Sequence, residues 1–429
     1  MMGALAPVMA VRNALQSPPR LRRLGLVGLG LLAGLGLGGC SGLPRPPQVV
    51  FMGIGVNDDE TIDTRTLNEL RLRLKLLESG FRALHPGTSF QFNLAPEHQI
   101  EQVLRQRTQT GLAPDLAFVN GDTALSLLDD GVVDPYPITP QQQRLFDPLM
   151  LSRLRDRSGR LAGLPVMVRT QLACFNRKRL PQAPTTTDGL LQLSDKGAAI
   201  GLTLDPVQLL WSTGSLGALD GIQRAAAGQP LSAAQRSGID GWLRWLVTAN
   251  NQQQITFYAT QPLAMAEFVA GRLDWITCDS SSLSSLAKTL GNDLGVSPLP
   301  DGPGGQASPI NLLRVVVLGR SSTTSGRQLA LAFSASSINA ESQSSLTTGS
   351  KSVLPANRFV KVPVQSSQQL AALVHSAQAG GRTAALARLF HSKDQRLVQV
   401  RSVLMDLIFA DLPVAQARDR LIASLHPQP

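Results

Sequence analysis

The chain has 429 residues, enough for two or three domains, and 43% of them are hydrophobic, which supplies a sizeable core and excludes global disorder. Charged residues make up 16% and aromatics only 4%, with four Trp and two Tyr, which argues against an aromatic-rich β-sandwich and against base-stacking nucleic-acid folds. A formal charge of +10 would point to nucleic acid if it were evenly spread. Four of those charges, Arg12, Arg20, Arg22 and Arg23, fall in the acid-free residues 1–39, and the rest of the chain carries +6.

The basic pair Arg22-Arg23 is followed by LGLVGLGLLAGLGLG at 24–38. Fifteen residues, six of them Gly, are too short and too flexible for a good membrane span and read as the apolar part of an export signal covering 1–39. Leu37-Gly38-Gly39-Cys40 followed by Ser41 resembles a bacterial lipobox. The resemblance implies cleavage before Cys40 and its acylation, and several acyl chains at ~0.8 kcal/mol per buried CH₂ give stable anchoring. Arg22-Arg23-Leu24-Gly25-Leu26 also resembles, weakly, a twin-arginine signal. The Pro-rich residues 40–47 read as a tether. With Cys40 acylated, Cys174 and Cys278 remain. The compartment permits a bridge between them, but their apolar flanks favour two buried thiols. His85, His98, His375, His391 and His426 are scattered, with no metal-ligand spacing, and no cofactor motif is present.

The run VVFMGIGV at 49–56 predicts a buried parallel strand. Leu67, Leu70, Leu74, Leu77, Phe81 and Leu84 recur at spacings of three and four and predict a helix over 64–84, with Thr66 and Glu69 as a candidate capping box. Phe90, Phe92 and Leu94 alternate as in a strand; a helix over about 98–109, a strand over 114–119, a polar loop Asn120-Gly121-Asp122-Thr123 and a short helix over 124–130 follow. This β-α-β-α-β-α order predicts an open, mostly parallel sheet, whose ligands sit beyond the strand C-termini. A strand-turn element at 159–165 leads to a strand pair over 166–175. Residues 188–290 read as mainly helical, with Trp242, Trp245 and Leu246 on one side of a helix. Strands are predicted over 272–277, 291–300 and 310–318, and helices from about 365 to 425. Arg-rich loops such as 153–160 account for much of the remaining charge beside an anionic membrane surface, so no nucleic-acid partner is required.

Several pieces occur in the order of one family. Phe81-Arg82-Ala83-Leu84-His85-Pro86-Gly87 precedes a strand, and Ala113-Pro114-Asp115-Leu116 precedes Gly131-Val132-Val133-Asp134-Pro135-Tyr136. Gly163-Leu164-Pro165 precedes Asn176-Arg177-Lys178-Arg179-Leu180. Later come Ala264-Met265-Ala266-Glu267-Phe268, Val296-Ser297-Pro298-Leu299-Pro300-Asp301-Gly302-Pro303-Gly304 and Leu354-Pro355. Over most of 48–425 the chain resembles the extracellular solute-binding proteins of ABC importers, the maltose-binding-protein group. The resemblance implies an α/β fold of two hinge-connected lobes, each a mostly parallel sheet flanked by helices. Lobe I is 48–164 plus about 292–340, and lobe II is 165–291 plus about 341–429. Crossings fall near 164–168, 290–296 and 336–350. It further implies a monomer that captures a small polar solute, a sugar or polyol, between the lobes and delivers it to the transmembrane subunits of an ABC permease.

Candidate site residues are the strand-end groups Asn57, Asp58, Asn120, Gly121 and Asp122. Asp122 matches the family's site carboxylate, which accepts hydroxyl hydrogens, although it also suits a helix N-cap. Arg169 follows the crossing strand and would favour an anionic ligand. Phe175 matches the family's stacking Tyr, and Trp211 is a second stacking candidate. Asp279, Ser280 and Ser281 end a strand where the family often carries Gly-Pro-Trp. Asp115 reads as structural. An enzyme is disfavoured, because no G-x-S-x-G, S-x-x-K, H-E-x-x-H or phosphate-cradling Gly loop occurs. A structural or sensory lipoprotein on the same fold is the alternative, since fold does not fix function.

Overall fold

The computed structural model of the protein describes residues 48–56, 62, 64–390 and 394–427. The signal, Cys40, the tether, and Asn57 and Asp58 lie outside the described residues. The strands are β1 (Gln48–Val56), β2 (Thr88–Pro96), β3 (Leu116–Asn120), β4 (Val133–Asp134), β5 (Leu164–Asn176), β6 (Ile200–Thr203), β7 (Ile255–Tyr258), β8 (Trp275–Asp279), β9 (Leu294–Ser297), β10 (Asn311–Gly319) and β11 (Leu354–Pro355). They run in the order β2-β1-β3-β10-β5-β8-β6-β7, with β4 on β10 and with β9 and β11 on β5.

The wings are parallel, as the alternation of strands and helices predicts: β1 pairs with β2 and β3, and β6 with β7 and β8. The middle is antiparallel, because β10 returns between β3 and β5, and β5 pairs antiparallel with β8 and β9. Between wings stands β5, a single strand of 13 residues rather than the turn and strand pair expected from the Gly-Pro run. Its first half pairs with β10 in one sheet and its second half with β8 and β9 in the next. Twelve of its residues are buried, so both faces are covered along nearly its whole length, and two apolar stretches flank the buried polar Arg169, Thr170 and Gln171. The register shifts opposite Pro165, which has no N–H to give the ladder. The carbonyl of Val166, skipped by the shift, accepts instead from the amide of the buried Gln343.

Helix α1 (Thr64–Leu84) has the expected bounds. Leu74, Leu77 and Phe81 are buried, whereas Leu84 at its end is exposed. Thr66 lies inside the helix rather than before it, and the Glu69 carboxylate pairs with Lys288 at 2.7 Å. Helix α2 (Glu97–Gln109) starts directly after Pro96, and α3 (Gly121–Asp129) starts directly after β3, so the polar loop of the sequence reading is the first turn of a helix. Asp115 is structural: its carboxylate accepts from Phe51 N at 2.9 Å and from Ser322 Oγ at 2.6 Å, tying β1 to the approach of helix Thr324–Ser337.

Two cores form. The first gathers Phe81, Phe118 and Phe333 under β1, β3 and β10. The second holds Trp211, Trp242, Trp245 and Trp275, packed by helices Ala233–Asn250, Arg396–Phe409 and Val414–Leu425. The expected crossings shift. Strand β9 still belongs with β5, so the return runs through 298–310, and residues 340–350 form a helix packed on α1 rather than a crossing.

Cys174 and Cys278 form a disulfide, not two thiols. They sit on neighbouring strands, β5 and β8, which the fold brings together across 104 residues of sequence. A cross-link closing so long a loop restricts the unfolded chain and is worth about 2–4 kcal/mol. The Cys174→Ala, Cys278→Ala double variant is expected to lose about that much in urea unfolding; an unchanged midpoint and slope would show that the bridge carries no stability.

Candidate functional site

Strands β1, β2 and β3 all point their C-terminal ends the same way, at Val56, Pro96 and Asn120. That edge faces the point where β5 leaves the first sheet at Arg169 and Thr170 and where β8 ends at Asp279. Groups from both sheets meet there.

Glu97 opens α2 and is buried. Its carboxylate accepts from Asn120 N at 2.7 Å, Thr123 Oγ1 at 2.8 Å and Arg314 Nη1 at 2.7 Å. The carboxylate lies so close to β1 that a Cβ on Gly55 would stand 2.0 Å from it, so only glycine fits. Arg314 enters from β10, buried in the otherwise apolar NLLRVVVLG, and also donates to the Gly55 carbonyl and, at 3.1 Å, to Asn120 Oδ1. The same Asn120 oxygen accepts from Arg169 Nη2 at 3.0 Å. Arg169 is 4% exposed; its other terminal nitrogen lies 3.4 Å from Ser281 Oγ and 3.9 Å from the Asp279 carboxylate. Asp279 in turn accepts from the backbone and hydroxyl of Ser281, and Ser280 Oγ accepts from Thr170 N at 3.2 Å. From α1, Arg73 donates to the Ser281 carbonyl at 3.2 Å. Asn120, Arg169, Asp279 and Ser280, all expected from the sequence, are thus brought together.

Asp122 sits in the first turn of α3 beside Gly121, half-buried. Burial, and then the neighbouring Glu97 charge, push its carboxyl up to about 6. Backbone N–H groups at the helix start and Arg169 pull the other way without prevailing. Arg153, expected on a solvated basic loop, is instead half-buried, donates to the Asn311 carbonyl at 2.7 Å and is held down to about 10 by burial, opposed by Asp122.

Two expected contacts fall elsewhere. Trp211 is wholly buried in the second core, 6.5 Å from Trp275, because Leu209, Leu210 and Trp211 turn inward together from the Pro206-started helix. The Phe175 ring is buried over Gly295 and pairs with the start of β8, four residues from Asp279 and so roughly 13 Å along the strand. The sequence reading also missed Glu97, Arg314 and Arg73, while Ser281, named with Asp279 and Ser280, joins the group. A lone Arg inside an apolar strand and an acid directly after a strand-ending Pro were the available signals. Among the described residues no group of three His, Cys, Asp or Glu could hold a metal ion.

An acid whose folded-state pKa is raised takes up its proton more readily folded than unfolded. Asp122 therefore subtracts stability at neutral pH, and stability returns as pH falls from above about 6 towards 3.8. Asp122→Asn is expected to raise the urea midpoint at pH 7 and to flatten its dependence between these limits; identical profiles for variant and parent would refute the shift.

The sequence pattern of the bacterial extracellular solute-binding protein family matches residues 81–372, more than half of the chain. No curated protein matches it in sequence. Among solved structures, the GacH receptor of Streptomyces glaucescens GLA.O, studied unliganded and with acarbose, is 15% identical, with TM-score 0.67 over 88% of this chain and 97% of its own. The maltose-maltodextrin binding protein of Alicyclobacillus acidocaldarius is 16% identical, with TM-score 0.62 over 88% of this chain and 100% of its own. These likenesses establish the two-lobed fold.

Proposed function

The chain belongs to the bacterial extracellular solute-binding proteins, and from that premise we propose that it captures a sugar or polyol in the cleft between two lobes and delivers it to the transmembrane subunits of an ABC permease. One lobe comprises residues 48–163 with 311–350, the other 177–297 with 368–427, joined by β5 and by the stretches 298–310 and 351–367. Acylated Cys40 holds the protein, as a monomer, on the outer side of the membrane.

The observation that carries this reading is the meeting of Asn120 and Asp279, at strand ends of the two sheets, with Arg169 of the shared strand β5. Carboxylates accept hydroxyl hydrogens and arginine donates to hydroxyl oxygens, so solute hydroxyls find both partners. A ligand touching both sheets favours the closed arrangement by its differential affinity for it. With Trp211 and Phe175 in the core, recognition rests on hydrogen bonds more than on ring stacking. The fold neighbours named for acarbose and for maltose-maltodextrin support a carbohydrate-like solute. No catalytic step is assigned.

A thermal-shift panel of sugars and polyols tests this. A true ligand at about 100 times its Kd adds ~2.7 kcal/mol, and Asn120→Ala should weaken it by about 1–3 kcal/mol. Absence of any stabilising sugar or polyol, neutral or acidic, would overturn the proposal.

A further inference from the structure

Strands β1, β2, β3 and β5 run the same way, because β1 is parallel to β2 and β3 and because β10 is antiparallel to both β3 and β5. The starting ends of these strands, away from Asn120, carry a different surface. Leu84 ends α1 shortly before β2, and Leu112 lies between α2 and β3. Phe359 follows β11, which runs against β5 and so leads back towards the start of that strand. These are the three most exposed large hydrophobic side chains among the described residues, at 78%, 66% and 63%. In the order β2-β1-β3-β10-β5, with β11 on β5, they mark the row from one side to the other, five strand spacings or roughly 24 Å.

Cations stand beside them. Arg107, in the last turn of α2, accepts from Leu112 N at its carbonyl at 2.8 Å, and Arg358 and Lys361 flank Phe359. The Arg358 guanidinium lies 5.0 Å from the centre of the Phe359 ring. Among the described residues none of these three cations forms an ion pair. Acids at this end are engaged elsewhere: Glu78 pairs with Arg82 at 2.9 Å, Asp130 with Arg105 at 2.5 Å, and Asp134 with Arg320 at 3.4 Å and with Arg327. The chain before Gln48 contains no Asp or Glu, and Asp58, Asp59, Glu60 and Asp63 follow the opposite end of β1. The chain also enters here. Gln48 opens β1 and donates to the carbonyl of Gly87, in the turn that follows Leu84, at 3.1 Å. Residues 41–47 separate it from Cys40, at most about 29 Å of extended chain.

We propose that this end of the first lobe rests on an anionic lipid surface, with Leu84, Leu112 and Phe359 at the headgroup boundary and Arg107, Arg358 and Lys361 on lipid phosphates; this rests on the anchored reading above, in which Cys40 is acylated. Apolar side chains flanked by cations suit that boundary, since the hydrocarbon leaves water while the charges stay among phosphates. Points spread along a whole sheet edge meet a plane, whereas a peptide in a groove needs them adjacent. A second copy of the chain would set these cations against one another. The solute-facing ends of the strands, at Asn120, stay clear of the lipid.

Amide hydrogen exchange of the full chain on vesicles of phosphatidylcholine, alone or in equal parts with phosphatidylglycerol, tests this. Residues 84–88, 108–113 and 358–361 should be protected together on the anionic vesicles, and less so as salt rises. The triple variants Arg107→Gln, Arg358→Gln, Lys361→Gln and Leu84→Ser, Leu112→Ser, Phe359→Ser should each lower that protection about tenfold or more. Vesicle-bound chain with these segments unprotected, equal protection on phosphatidylcholine alone, or full protection in both variants overturns the proposal. Protection that appears only when permease subunits are in the vesicles assigns the surface to a protein partner and overturns it too. If either variant fails to fold, the comparison of the two vesicle types with the parent chain decides. The mass of the mature chain reports acylation separately: acylated protein with these segments unprotected overturns the lipid contact and leaves the anchor standing.

Discussion

The side-chain oxygen of Asn120 accepts from two buried arginines, Arg169 of β5 and Arg314 of β10. Two buried guanidinium groups in mostly apolar strands are costly unless each finds charge and hydrogen-bond partners, and losing one partner of such a buried pair typically costs about 3–5 kcal/mol. The rest of the site follows from that requirement. Glu97 must come close enough to neutralise Arg314, which obliges position 55 to be glycine. Asp279 and Ser281 must stand near Arg169, which brings the end of β8 to the end of β3. The polar chain thus joins the two sheets where solute would lie.

The backbone supports this junction from both sides. β5 is shared by both sheets, so the position of Arg169 is fixed by ladders on either flank. Below it the Cys174–Cys278 bridge ties β5 to β8 just before Asp279. Above it Gln343 takes over the Val166 carbonyl that the register shift at Pro165 releases, and its own side-chain oxygen accepts from Ala356 N at 2.8 Å. Arg73 and the Lys288–Glu69 pair link α1 to the segment after β8 on the outside of the junction. These long side chains can separate and rejoin at small cost, as a hinge requires.

Local periodicity made the outer elements legible. The bounds of α1 and nearly all of β1 and β10 follow from the spacing of apolar residues, and the strand-end rule pointed to Asn120, Asp122 and Asp279; Arg169, expected just after a strand, lies inside β5. What escaped depends on long-range proximity. The strand β5 is buried on both faces and has no alternation to reveal its length. The disulfide depends on β5 and β8 becoming neighbours. Trp211 looked like a stacking platform because a sequence cannot say which side of a short helix faces a core already holding Trp242 and Trp275. Arg314 and Glu97 are 217 residues apart, and their pairing is a product of the fold alone.

The strand-end carboxylate and amide at this junction are groups of the kind that pair with hydroxyls. The central claim is that solute sits at the junction of the two sheets. Amide hydrogen exchange of the full chain, with and without the most strongly stabilising sugar or polyol, tests it most directly. The account predicts added protection at residues 120–123 and 280–282 together, and protection confined to one of these segments, or lying elsewhere, would contradict it.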